Sequence, residues 1–122
     1  MEKPIEDLLQ LFLPEGLLNY FDVESVSEGK AKDNTPMIKI HLVEKNIMPD
    51  GHDPNQFESK GFYEEKTIQD FPVRGKFVYL VIKRRRWRHK TDRNRSISND
   101  YSFLIKGTKM TREFSDFLKG TR

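Results

Sequence analysis

Eight consecutive positions, Lys83-Arg84-Arg85-Arg86-Trp87-Arg88-His89-Lys90, hold six cations, an indole and an imidazole. Arginine forks grip phosphate oxygens bidentately, and an indole stacks on a base or a sugar face. A block of this composition is suited to reading a polyanion. Arg93 and Arg95 follow it closely. The residues before it, Lys76-Phe77-Val78-Tyr79-Leu80-Val81-Ile82, are β-branched, aromatic and aliphatic, which is strand composition. The cations are therefore expected on ordered backbone and not in a tail.

Alternation along a strand sorts these side chains onto two faces. Val78, Leu80 and Ile82 share one with Arg84, Arg86 and Arg88, while Phe77, Tyr79 and Val81 share the other with Lys83, Arg85, Trp87 and His89. The strand is apolar on both faces in its first half and cationic on both in its second. Unpaired buried charge is prohibitively costly, so the second half is expected to project beyond the core. With residues 93–99 it would form a two-stranded basic arm, a shape that a DNA major groove admits. The contacts expected on DNA are Lys83, Arg84, Arg85, Arg86, Arg88 and Lys90, with Arg93 and Arg95 supporting from the partner strand and Trp87 stacking. Arg74 and Lys76, at the far end of the strand, would be a separate patch. The competing expectation is a solvated strand end that protects a sheet edge.

Charge is distributed unevenly. Residues 1–60 carry 6 Lys/Arg against 12 Asp/Glu, and residues 61–122 carry 16 against 7. The interval 74–95 alone holds ten cations and one acid, Asp92, so it accounts for the positive excess of the second half.

Other chemistries find few residues. The absence of cysteine excludes disulfides and thiolate metal sites. His41, His52 and His89 are scattered. His52, in Asp50-Gly51-His52-Asp53, lacks the spaced carboxylates of a calcium loop and is expected in a turn. Asp22, Glu24 and Glu28 are expected to face solvent. No phosphate loop, nucleophile elbow or Cys–His pair is present, so no catalytic residue, metal or cofactor is expected. The N-terminus has no signal-peptide pattern, and no apolar run reaches the roughly 18–20 residues of a membrane span. A cytoplasmic protein without a small-molecule ligand is the resulting expectation.

The elements that must position the basic block fit one domain of 122 residues. Residues 1–45 read as a helix plus an acidic hairpin, 46–60 as a loop, and 61–122 as a basic meander with a C-terminal helix. The helix is expected over 4–13, with Ile5, Leu8, Leu9 and Phe12 as one buried stripe and Pro14 as its stop. Leu17 to Phe21 is a short second helix or the lead into a strand. Residues 20–27 and 37–44 form the hairpin. Residues 61–71, 76–88 and 97–106 form a three-stranded antiparallel meander, with turns at Pro72-Val73-Arg74-Gly75 and Thr91-Asp92-Arg93-Asn94 and closure at Gly107-Thr108. Thr111 caps a helix over 111–118, with Phe114, Phe117 and Leu118 on one face. The class is α+β.

Thr67-Ile68-Gln69-Asp70-Phe71-Pro72-Val73-Arg74-Gly75-Lys76, followed by the apolar strand and Arg84-Arg85-Arg86-Trp87, resembles the N-terminal region of bacterial insertion-sequence transposases of the ISAon type. Leu13-Pro14-Glu15-Gly16-Leu17-Leu18 and Gly107-Thr108-Lys109-Met110-Thr111 are also similar, so the likeness spans most of the chain. Relatives in the wider group carry a zinc ribbon here, and this chain has no cysteine to build one. The resemblance implies a DNA-binding accessory part of a transposase, with catalysis residing elsewhere. Its alternative is a protein-interaction module that docks to a catalytic transposase subunit through the acidic half and the apolar face of residues 111–118.

Overall fold

The computed structural model describes residues 3–105 and 110–119. Helix α1 (Lys3–Leu9) and a single 3-10 turn (Leu17–Asn19) lead into β1 (Phe21–Lys30) and β2 (Pro36–Glu44). Then come β3 (Phe57–Phe62), β4 (Lys66–Val73), β5 (Lys76–Lys83), β6 (Arg85–His89) and the two-residue β7 (Ser96–Ile97). A second 3-10 turn (Ser102–Leu104) and helix α2 (Arg112–Leu118) complete the α+β fold. No helix is long and apolar enough to cross a membrane among the described residues.

The middle of the chain is one long, bent hairpin. Its tip is Arg74-Gly75, where both φ angles are positive (54° and 74°), the conformation whose twist matches that of the strands it joins. From there β4 and β5 pair antiparallel. Beyond them β3 and β6 pair antiparallel as well, and the Tyr63 N–H donates to the Arg84 carbonyl (2.8 Å) across the bend. The expected strand 76–88 is thus a single path broken at Arg84, and the expected loop 46–60 ends early because its last residues belong to β3.

The bend divides the strands into two sheets. The first has the order β1-β2-β5-β4, and its central pair β2/β5 is parallel. β5 is apolar on both faces from Phe77 to Ile82, which suits an interior position, while β2 turns Ile38, Ile40 and Leu42 to the core and Lys39 and His41 to the other side. This pairing joins the acidic hairpin directly to the basic meander, so loop 45–56 is no boundary between independent halves. The second sheet has the order β3-β6-β7.

Cross-strand partners share a face. Phe21, Val23, Ile40, Leu42, Ile68, Val78, Leu80 and Ile82 point to one side of the first sheet, where they meet Leu13, Leu17, Leu18, Tyr101, Leu104, Phe114, Phe117 and Leu118. The helical elements therefore all cover the same face. Thr111 caps α2 as expected, its Oγ1 accepting from the Phe114 N–H (3.2 Å) and donating to the Gln69 carbonyl (2.9 Å).

Three expectations fail. The N-terminal helix ends at Leu9, and its stripe is turned around: Leu9 and Leu13 face the core while Leu8 and Phe12 are exposed. The described part of the return strand 97–106 reduces to Ser96–Ile97, because Tyr101 enters the core and a 3-10 turn follows. The projecting two-stranded arm is absent, since β6 is the middle strand of a sheet with β3 on its other side. The closure at Gly107-Thr108 and the side chain of Ile5 lie outside the described residues.

Candidate nucleic-acid interface

The arginine run divides into residues that face inward and residues that face outward. Arg84 occupies the bend and is only 4% exposed. Its Nη2 donates to the Asn99 carbonyl, and its guanidinium lies 5.5 Å from the ring centroids of both Tyr101 and Phe117. Such cation–π contacts gain strength when desolvated. Arg84 thereby ties the bend to α2.

Arg85 is bound to Glu44, a carboxylate that is 1% exposed at the end of β2. The Arg85 N–H donates to Glu44 Oε1 (2.7 Å), Arg85 Nε to the Glu44 carbonyl (3.0 Å), and Arg85 Nη1 to Ser59 Oγ (3.2 Å). The guanidinium also stands 4.9 Å from the Phe62 ring centroid. Asn99 Nδ2 donates to Glu44 Oε2 (3.2 Å), and the Tyr101 hydroxyl donates to the same oxygen. Burial, reinforced by the bond to Glu44 and by its charge, pushes the Tyr101 hydroxyl far above the ordinary phenol range. It therefore remains a donor. One buried carboxylate thus collects β2, the bend and residues 99–101, with Arg85 bound to it and Arg84 bound to Asn99 and Tyr101.

Trp87 is 5% exposed, paired between Ser59 of β3 and Ile97 of β7. An indole so placed has no face left for a base, which corrects the expected stacking role. Phe57 beside it is buried too, with His52, His89 and Arg95 packed against its ring at 5.1–5.3 Å. The Trp87 indole N–H finds no acceptor among the described residues. A buried, unpaired donor costs about 1–3 kcal/mol, and nothing in the structure explains this one.

The outward set is different. Arg86 and Arg88 share the face of β6 opposite Trp87 and are half-buried, while Lys90, Arg93 and Arg95 are exposed in the connection to β7. That connection is well made. His89 Nδ1 accepts from the backbone N–H groups of Thr91 (3.2 Å) and Asp92 (3.0 Å), and the Arg95 carbonyl accepts from the His89 N–H (2.9 Å). None of these five cations makes an ion pair within 4.0 Å among the described residues. Lys83, by contrast, reaches Glu24 at 4.0 Å. Arg74 and Lys76 are exposed at the opposite tip of the hairpin.

Phe114, Phe117 and Leu118 are buried in the core, so residues 111–118 offer no apolar docking face. The buried carboxylate Glu44 was missed by sequence reasoning. Its only signal was its place on the inward parity of β2, after Ile38, Ile40 and Leu42. Comparison with protein-family models, with curated proteins and with solved structures returns no match.

Proposed function

We propose that the chain binds DNA through Arg86, Arg88, Lys90, Arg93 and Arg95, as the accessory N-terminal part of a bacterial transposase with no catalysis of its own. The observation that carries this reading is five cations, unpaired among the described residues, gathered on one strand and the turn that follows it. Cations without an internal carboxylate are able to release counterions on meeting phosphates, Arg95 doing so from its place against the Phe57 ring. The buried indole argues against base stacking, so the contacts are to the phosphate backbone and position the protein without selecting sequence. The resemblance to ISAon-type transposases supplies the biological setting, a cytoplasmic one, in which a separate catalytic part does the chemistry.

The test is anisotropy titration of a labelled duplex at several salt concentrations. Five neutralised phosphates give a slope of about −4 to −5 in log K against log salt. Arg88→Ala with Arg93→Ala lowers that slope by about 2. Undiminished binding by that double variant, or salt-independent binding, overturns the assignment.

A further inference from the structure

At the end of the first sheet opposite Arg84 and Arg85, beside the tip that carries Arg74 and Lys76, the fold leaves apolar surface uncovered. One row across the sheet runs, in register, Glu28 on β1, Ile38 on β2, Val78 on β5 and Asp70 on β4. The middle of the row is apolar and each edge carries a carboxylate. Above it, α1 and residues 10–15 stand off from the sheet. The space between is a groove of about 550 Å³, whose walls include Phe12, Val26, Phe71 and Val73, with Glu15 and Asp70 as its acids. No Lys or Arg lines it.

The apolar surface does not stop at the groove. Phe12, Val26 and Phe71 are each exposed, and Leu8 in α1 and Leu11 in the turn after it carry the same surface outward, Leu11 being 77% exposed. Leu8, Leu11 and Phe12, at i, i+3 and i+4, form one exposed stripe. Neighbouring exposed apolar side chains rimmed by acids are the composition of an interaction surface. A small molecule would fill the groove and leave that stripe bare, whereas a polypeptide segment covers both. Glu15, Glu28 and Asp70 around the apolar floor give the segment its charge.

We propose that this groove docks an amphipathic helical segment of a partner protein, its apolar side chains seated between α1 and the sheet and its lysines or arginines facing Glu15, Glu28 and Asp70. Helix-in-groove recognition lays the apolar face of an amphipathic helix into such an apolar groove. The site is remote in sequence from the outward cations, and it stands whether or not they bind DNA.

The experiment uses the full chain and three fluorescein-labelled peptides of about 18 residues. One is an amphipathic Leu/Lys helix, one its Leu/Glu counterpart, and one a Leu/Lys scramble without an apolar face. The Leu/Lys helix is expected to bind at least about tenfold more tightly than either control. Leu11→Ser with Phe71→Ser removes two exposed side chains, so the fold should survive, as an unchanged far-ultraviolet spectrum and melting temperature will verify. The same pair should weaken binding about tenfold. Asp70→Asn with Glu28→Gln should narrow the preference for Lys over Glu peptide. Equal binding of the charge-reversed helix, or binding indifferent to the groove substitutions, overturns the proposal. So does a dimer in sedimentation that the Leu11→Ser, Phe71→Ser protein no longer forms, because the occupant is then a second copy.

Discussion

Arg84 and Arg85 stand beside Arg86 and Arg88 in the chain, yet the two pairs live under different electrostatics. The first pair is enclosed by Glu44, Asn99, Tyr101 and Phe117 and is spent on holding two sheets and a helix together. The second pair, with the turn cations beyond it, faces outward without an acidic partner within 4.0 Å among the described residues. A run of like residues is therefore not one functional unit. Where the backbone bends decides which arginines are structural.

Substitutions can break this contrast. Glu44→Ala should have the largest effect. It strands the Arg85 N–H, the Asn99 amide and the Tyr101 hydroxyl together, and losing one partner of a buried charge network costs about 3–5 kcal/mol. Urea unfolding will measure it, and DNA affinity per folded molecule should stay the same. Trp87→Ala should cost a similar 3–5 kcal/mol through its cavity. Trp87 is the only tryptophan, so its fluorescence reports directly on the interface. Saturating duplex should leave its emission nearly unchanged, and strong quenching on binding would return the indole to the nucleic acid.

Tyr101→Phe tests the staple more gently. It removes one donor to Glu44 and keeps the ring against Arg84, so about 1–3 kcal/mol should be lost. The outward cations give the opposite result. Arg88→Ala with Arg93→Ala should change stability by no more than about 0.5 kcal/mol per site, while the salt slope of DNA binding falls.

Asp70 sharpens the comparison at its weak end. Unlike Glu44, it has a single backbone donor, Phe71, and burial raises its carboxyl above the ordinary range. A carboxyl with a raised folded value favours the native state when protonated. That contribution is present below the unfolded value near 3.9 and is lost as pH climbs through the folded one. Asp70→Asn should therefore gain melting temperature relative to the parent at pH 7 and show less advantage at pH 3. A constant difference across that range would remove Asp70 from the account.

The legible parts of this fold were those set by local pattern. Thr111 announced its cap, Arg74-Gly75 its turn, and the alternation Ile38-Ile40-Leu42 its inward face. The parallel junction of β2 with β5 was not legible, because it joins residues on opposite sides of two intervening strands and neither edge advertises its partner. The break at Arg84 was hidden for a related reason. Strand propensity continues from Ile82 through Trp87, and the groups that receive the buried Arg84 guanidinium, the Asn99 carbonyl and the Tyr101 and Phe117 rings, all come from later in the chain. Charge asymmetry correctly located a cationic region but could not say which cations an acid from the other half already holds.

The parallel pairing has a consequence for how the chain can be divided. β2 lies before loop 45–56 and β5 after it, and the two are neighbours over seven residue pairs from Met37↔Phe77 to Val43↔Lys83. A protease nick at Asp50-Gly51 would yield an acidic fragment and a basic fragment, each presenting an uncovered central strand. The first sheet is complete in neither fragment, although the basic one keeps all of β3-β6-β7, and each is the other's complement in both hydrogen bonds and charge. The two should reassociate into a nicked but native heterodimer, the behaviour of a split protein.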